Sequence, residues 1–299
     1  MNKKVAIITL NWNTSDYTIN LIKSLGNSSF SDFSLFILDN GSKKEDYNNL
    51  KKFIDAVQNL DIKLIRSEKN LGFAGGNNFV FFNFIERENF KYVLFINNDT
   101  TVEKDFLKKL IARIEKDERI GSIGPLILRA DNRKLIDSAG ADYYKKIVKV
   151  KLRCHLKSIK KCKKYLKESF DDFITGACLL VRKNIFKELK GFDEKFFAYS
   201  EDVDLGIRIK KLGYLNLFFP EAVIYHHGSV STKGKKEFYY YLNLRNKVYI
   251  GRKHNSKIVF YTITLFYIIF VKYLLNFLIS FDINLLKGGF KGIKDGFRL

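Results

Sequence analysis

The residues best suited to chemistry lie in Phe196-Phe197-Ala198-Tyr199-Ser200-Glu201-Asp202-Val203-Asp204-Leu205, where three carboxylates occupy four positions directly after an aromatic run. Carboxylates that close repel one another, and burial or a like charge raises a carboxyl's proton affinity. A chain with a formal charge of +21 does not need them for solubility. Leu205, Ile207, Ile209 and Leu212 follow, so the acids open a partly buried helix, whose N-terminal partial charge favours them. Capping needs one or two acids. Glu201-Asp202-Val203-Asp204 behind Phe196, Phe197 and Tyr199 fits a carboxylate held at the edge of a pocket, with the aromatic side chains as an apolar wall.

Three further polar clusters have chemical uses. Asn97-Asn98-Asp99 sets one carboxylate between amides, a composition that binds a hard divalent cation and sugar hydroxyls; such ions take one or two carboxylates and complete their shell with ligand phosphates. His226-His227 holds two of the chain's four histidines. An imidazole joining Asp99 makes a mixed nitrogen and oxygen site suited to manganese. Asn70-Leu71-Gly72-Phe73-Ala74-Gly75-Gly76-Asn77-Asn78 is glycine-rich, and its amides are candidates to meet a phosphate. It lacks the Lys-Ser/Thr of a P-loop and the spacing of a dinucleotide fingerprint, which disfavours kinase and NAD chemistry.

The elements that must position these groups alternate through the first half. Apolar runs at Lys4 to Leu10, Ser34 to Leu38, Ile62 to Ile65 and Tyr92 to Ile96 read as strands, separated by helices at Ser15 to Leu25, after Gly41-Ser42 and after Gly75-Gly76. Continuous apolar strands alternating with helices imply an α/β fold with a mostly parallel sheet. Ligands of such sheets sit beyond the strands' carboxyl ends. Asn11-Trp12-Asn13, Asp39-Asn40-Gly41-Ser42 and Asn97-Asn98-Asp99 fall at three such ends, so one shared site is expected. Further on, Ile120 to Leu128, Phe173 to Val181, Tyr214 to Phe219 and Ala222 to His227 read as strands, with an excursion over 134–170.

Cys154, Cys162 and Cys178 are odd in number and lack C-x-x-C spacing, so three reduced thiols in a cytosolic setting are expected. No N-terminal leader is expected either, because the first apolar run is too short. Eleven Lys or Arg and no acid lie between Lys145 and Lys167, which suits an anionic partner. No nucleic-acid module is present, so a membrane surface or a phosphorylated small molecule is favoured. Ile258 to Phe281 carries one charge, Lys272, and is long enough to cross a bilayer. Its central lysine and many aromatics also suit a helix lying in the membrane interface. A core helix or a homodimer contact is the third placement.

Together these segments resemble the family 2 glycosyltransferases, inverting enzymes of the GT-A fold, and in particular rhamnosyltransferase-like members. The likeness rests on Val5 to Asn13, Leu38 to Ser42, Asn70 to Asn78, Phe95 to Thr100, Thr175 to Lys183, Gly191 to Tyr214 and Tyr225 to Ser231, in order over roughly 4–255. Tyr239 to Lys253, with Arg245-Asn246, is similar to the family's closing helix. The resemblance implies a Rossmann-like mixed sheet flanked by helices: a nucleotide-sugar-binding half at 1–118, an acceptor and catalytic half at 119–255, and a membrane-associated C-terminal segment at 256–299. It implies donor-binding roles for Asn11, Asn13, Asp39, Asn70, Gly75, Gly76, Asn77, Asn97, Asn98 and Asp99. Asp99 would hold Mn²⁺ or Mg²⁺ with His226, or with His227 if the doublet shifts by one. Asp202 would be the catalytic base, assisted by Glu201.

The implied reaction moves a sugar from a nucleotide-diphosphate donor, dTDP- or UDP-linked, to a hydroxyl of a cell-surface glycan or lipid-linked saccharide. The setting would be the cytoplasmic face of the membrane. Two other readings fit the same residues: a nucleotidyltransferase, and a non-catalytic membrane-surface scaffold carrying a decayed transferase domain.

Overall fold

The computed structural model describes residues 3–228 and 235–299. The first half alternates as expected: β1 (Val5–Asn11), α1 (Ser15–Gly26), β2 (Phe33–Asn40), α2 (Lys44–Asp55), β3 (Ile62–Ser67), α3 (Gly72–Val80) and β4 (Tyr92–Ile96). These strands run parallel in the order β3-β2-β1-β4. Their apolar runs are continuous because both faces are covered. Val5, Ile7, Leu35, Ile37 and Leu94 pack into one core, and Ala6, Ile8, Phe36, Leu38 and Phe95 into the other.

The second half comprises β5 (Thr100–Val102), α4 (Phe106–Ile114), β6 (Ile120–Arg129), β7 (Ile136–Ser138), β8 (Ala141–Tyr144), β9 (Lys149–Leu152), α5 (Ile159–Cys162), β10 (Ser169–Asp171), β11 (Cys178–Arg182), α6 (Lys183–Glu188), α7 (Glu201–Lys211), β12 (Leu215–His226) and α8 (Lys236–His254). β11 runs antiparallel between β4 and β6, and β12 lies parallel to β6. The sheet is therefore mixed, as the resemblance implied and alternation alone did not. The antiparallel register matters for position. Cys178 pairs with Ile96, so the loop before β11 reaches the sheet where β4 ends.

Four local expectations need correction. Phe173 to Val181 is a strand only from Cys178, because Phe173 and Ile174 are buried in the helix-side cores. The two runs flanking Pro220 form one strand, β12, whose register against β6 shifts between Phe219 and Val223. The glycine-rich helix starts at Gly72, not after Gly76. Cys154 and Cys162 are joined by a disulfide, leaving Cys178 as the free cysteine. The β8–β9 hairpin and the Leu135–Ser158 bridge fold the excursion back, so the two Cα atoms lie 6.2 Å apart, within disulfide reach.

Beyond α8 the chain forms an apolar helix, Lys257–Ser280, of 24 residues and mean hydropathy 2.1, and a terminal helix, Ile283–Gly296. Phe260, Ile268 and Tyr273 pack into a core with Leu244 and Val248 of α8. Ile258, Phe266, Phe270 and Ile279 are exposed, and Ile258 is 76% so. The apolar helix is thus not buried within this chain.

The terminal helix lies against α8 backbone to backbone, which only glycine permits. A Cβ on Gly288 would collide with the Glu237 carbonyl, and one on Gly292 with the Tyr241 carbonyl. Backbone cannot yield as a side-chain tip can. Gly292→Val should push the terminal helix off α8 and cost about 1–3 kcal/mol, the range for overpacking. A lowered thermal unfolding midpoint by circular dichroism is the expected result; an unchanged one would mean the two helices are not in close contact.

Candidate active site

β1 and β2 end side by side, with Asn11 opposite Asp39. Asn11 is fully buried, and its amide donates to Asp39 Oδ1 at 3.1 Å and Asp46 Oδ2 at 2.8 Å while its carbonyl accepts from Thr18. It fastens the two strand ends together. Asn13 adopts a left-handed φ of 55°, donating its backbone N–H to Ser42 Oγ and accepting from the Lys43 amide. Asp39 is buried, yet its Oδ2 has no hydrogen-bond partner. Arg66 Nε stands 3.5 Å from that oxygen, with its guanidinium stacked on Tyr47. Buried polar atoms are normally paired, and the Arg66 ion pair is what this oxygen has among the described residues.

At the end of β4 the three polar residues take different directions. Asn98 turns inward, its amide donating to Thr14 and Thr18 hydroxyls at 2.8 Å each. Asn97 donates its backbone N–H to the Ala177 carbonyl at 3.1 Å, and its side-chain amide lies 3.3 Å from His226 Nε2. Asp99 Oδ1 lies 3.2 Å from the same nitrogen. His226 Nδ1 is 2.9 Å from Asp137 Oδ2 of β7. Burial disfavours the imidazolium, but the hydrogen bonds and charges of Asp137 and Asp99 outweigh it and raise His226 to about 9. Burial of Asp99 is likewise outweighed by His226, which holds that carboxyl below its usual range. His227 faces elsewhere: its N–H donates to the Asp99 carbonyl and its ring meets Tyr17 edge-on at 5.1 Å. Ser229 to Ser231, the end of that motif, lie outside the described residues.

This donor set fits a divalent cation. Asp99 and His226 Nε2 converge, and Asp137 on the far ring nitrogen orients the imidazole, as carboxylates behind metal-bound histidines do. Among the described residues no three His, Cys, Asp or Glu side chains gather into a cage. Two protein ligands leave the remaining positions to a ligand's phosphate oxygens, the manner in which Mg²⁺-type ions are commonly held.

The acids of α7 reach the same sheet edge through the loop before β11. Ala177 binds Asn97, and the neighbouring Gly176 N–H donates to Asp202 Oδ2 at 2.9 Å. Asp202 Oδ1 accepts from the Val203 N–H at 2.8 Å. Burial pushes the Asp202 carboxyl up, and these amides oppose the push. Glu201 is less well supported: it is buried, its Oε2 has no hydrogen-bond partner among the described residues, and burial together with the Asp202 charge outweighs a backbone hydrogen bond and raises it well above the ordinary range. Asp204 turns the other way, to Arg208 at 2.7 Å, Lys253 at 2.8 Å and His254 at 2.7 Å. These partners outweigh its burial and hold it near 2.

The loop leading into α7 is bent. Phe197, Tyr199 and Ser200 all have positive φ, between 62° and 74°. Two neighbours on α8 hold it. Asn246, fully buried, donates to the carbonyls of Phe196, Ala198 and Tyr199 at 3.1, 2.8 and 2.6 Å; Arg245 donates to those of Lys195 and Phe196 at 3.0 and 2.6 Å. The expected aromatic wall is not intact, because Phe196 is fully buried and packs against Tyr249.

The glycine-rich segment serves packing. Asn70 accepts from the Gly72 N–H and from the Asn40 amide. Gly75 and Gly76 lie inside α3, where Gly76 fits against Leu10 and Leu38. Asn77 donates back to the Phe73 carbonyl. The amides of Phe73 and Ala74 donate to the Phe197 carbonyl at 2.6 and 3.1 Å, so α3 begins on the loop that presents Asp202. Asp137 and Arg66 escaped the motif reading. An acid in the otherwise apolar Leu135-Ile136-Asp137 was the available signal for the first.

Comparison with known proteins bears on the family and the fold. Residues 5–190 match the family model described as Glycosyl transferase family 2. An N-acetylglucosaminyl-diphospho-decaprenol L-rhamnosyltransferase of Mycobacterium tuberculosis is 48% identical over 60 residues, 20% of this chain and 20% of that protein's length. The rhamnosyltransferase WbbL of Escherichia coli is 27% identical over 168 residues, 54% of this chain and 62% of WbbL. Among solved structures, Staphylococcus aureus TarS 1–349 in complex with UDP-GlcNAc superposes with a TM-score of 0.63 at 14% identity, covering 99% of this chain and 81% of that one. A mannosyltransferase of Pyrobaculum calidifontis, in complex with GDP-Man and Mn²⁺, gives 0.60 at 11%, covering 100% and 74%. These likenesses carry the GT-A fold, and the chain belongs to glycosyl transferase family 2.

Proposed function

We propose that the protein is an inverting, metal-dependent glycosyltransferase. It moves a sugar from a dTDP- or UDP-linked donor to a hydroxyl of a cell-surface glycan or lipid-linked saccharide at the cytoplasmic membrane surface. One observation carries the reading: the strand end that bears Asp99 and the helix start that bears Asp202 are joined through Asn97, Ala177 and Gly176 by two backbone-anchored hydrogen bonds.

Each group then has a task. Asp39, with an oxygen beside Arg66, receives the donor's base or ribose. Asp99 and His226 hold the divalent ion, which when bound stabilises charge on the departing diphosphate. Burial raises both carboxyls, Glu201 well above its ordinary range, while two amides oppose the rise at Asp202, which is the base. The acceptor hydroxyl forms its bond to the anomeric carbon as the bond to the diphosphate breaks. Its proton passes to Asp202, and the nucleoside diphosphate leaves with the electron pair. One displacement inverts the anomeric centre. Arg245 and Asn246 are positioning residues, because they fix the bent loop from which Asp202 projects. The exposed side of the apolar helix, with lysines on both flanks, supports docking on a membrane surface.

Three measurements test this reading. Asp202→Asn should lower turnover by about a hundredfold or more, the upper half of the range for a general base, with nucleotide-sugar affinity retained; near-native turnover removes Asp202 from the role. Asp99→Ala should abolish the Mn²⁺ dependence of nucleotide binding in calorimetry, and a native that binds equally well with and without Mn²⁺ ends the metal assignment. Asn246→Asp keeps size but sets a carboxylate against three carbonyls. It should cost kcat up to about a hundredfold through misplacement while donor KM stays constant. A parallel rise in donor KM would instead indicate general unfolding of the site.

A further inference from the structure

A cavity of about 630 Å³ lies apart from the strand ends, between the start of α8 and the terminal helix. Its wall includes Lys235, Lys236, Phe238 and Tyr241 of the α8 side and Asn284 and Lys291 of the terminal helix. Lys235, Lys236 and Lys291 outnumber the one lining acid, Glu237, and none of the three forms an ion pair among the described residues. Two of them rest on aromatic rings instead: Lys235 lies 3.8 Å from the Trp12 ring centre and Lys291 5.4 Å from that of Tyr241. Ammonium groups on ring faces, without a carboxylate, keep their donors free for an anion.

Two of its lining residues reach toward the candidate site, Lys235 onto Trp12 and Phe238 onto Phe197. Trp12 sits between Asn11 and Asn13 at the end of β1, and Phe238 meets Phe197 of the bent loop at 6.1 Å. In the other direction the terminal helix exposes Ile283, Leu286 and Phe290, the last 66% exposed, and the apolar helix precedes it. A ligand filling this cavity would therefore be anionic where it meets the lysines and apolar where it leaves the protein.

We propose that this cavity binds the phosphate groups of the acceptor, a lipid-linked diphosphate. Its hydrocarbon follows the exposed side of the terminal helix, and its saccharide points past Phe238 toward Asp202. The assignment rests on the glycosyltransferase reading above and adds to it the acceptor class and its anchoring lysines.

Trp12 is the chain's single tryptophan, so its emission reports on Lys235 directly. The full chain is titrated in EDTA, which removes cation-assisted binding at Asp99, with farnesyl diphosphate, farnesol and inorganic pyrophosphate in turn. Farnesyl diphosphate should change the emission and bind at least about tenfold more tightly than either fragment, a difference of about 1.4 kcal/mol. The double variant Lys236→Ala/Lys291→Ala should weaken it by about tenfold or more, with nucleotide-sugar affinity in Mn²⁺ and the unfolding midpoint unchanged. Equal binding by the variant overturns the site. Pyrophosphate binding as tightly as farnesyl diphosphate overturns the lipid assignment in favour of a bare anion site, and farnesol doing so leaves only a greasy surface. A native chain that binds farnesyl diphosphate as expected but no nucleotide sugar, even with Mn²⁺, defeats the transferase reading and not the cavity.

Discussion

The site depends on five residues of backbone, Phe173 to Ala177, that enter the sheet against the direction of β4. The Asn97 N–H ends on the Ala177 carbonyl, and the Gly176 N–H ends on Asp202. One short loop thus ties the strand end that bears Asp99 to the acid-bearing helix. The approach at Gly176 is close: a Cβ there would come 3.1 Å from the Phe73 ring, a tight contact, and 3.8 Å from Asp202 Cβ, an ordinary one. The antiparallel turn of β11 is what delivers this loop to the carboxyl ends of the parallel strands.

The bent approach to α7 has an energetic cost that α8 offsets. Non-glycine residues in left-handed conformations cost roughly 1–3 kcal/mol each, and Phe197, Tyr199 and Ser200 adopt them within four positions. Five carbonyl contacts from Arg245 and Asn246, at about 0.5–1.5 kcal/mol for an ordinary hydrogen bond, are of comparable total. The Phe197 carbonyl also receives two amides of α3. The loop is therefore held from both sides, and its shape depends on α8 being docked. α8 in turn lies against the terminal helix through Gly288 and Gly292, which links the C-terminal helices mechanically to the loop before Asp202.

Much of this was legible in the residues, and what was not has physical reasons. Apolar runs located every strand of the parallel half, and polar residues at their ends located Asp39 and Asp99, because ligand sites and strand ends coincide in such sheets. The antiparallel β11 was not readable from alternation, since direction is a tertiary property. The glycines of 72–76 looked like a phosphate loop, yet glycine is equally required where a helix must lie on Leu10 and Leu38. The disulfide escaped because the chain reversal that joins Cys154 to Cys162 has no spacing signature. Asp137 carried no motif; its importance arises only when β7 pairs with β6 and brings it to His226.

The three acids of 201–204 show why spacing alone could not assign roles. Their sequence neighbourhood is shared, but the helix turns each toward different surroundings. Glu201 leaves Oε2 without a hydrogen bond among the described residues, and burial with the Asp202 charge pushes its carboxyl well above the ordinary range. Asp204 meets Arg208, Lys253 and His254 and is locked as an anion that anchors α8. Asp202 meets two amides, which oppose the upward push of its burial without an opposing cation to neutralise it. A base must be charged and still willing to take a proton. Of the three, Asp202 alone pairs two amide donors with no cation, which supports the base role proposed for it.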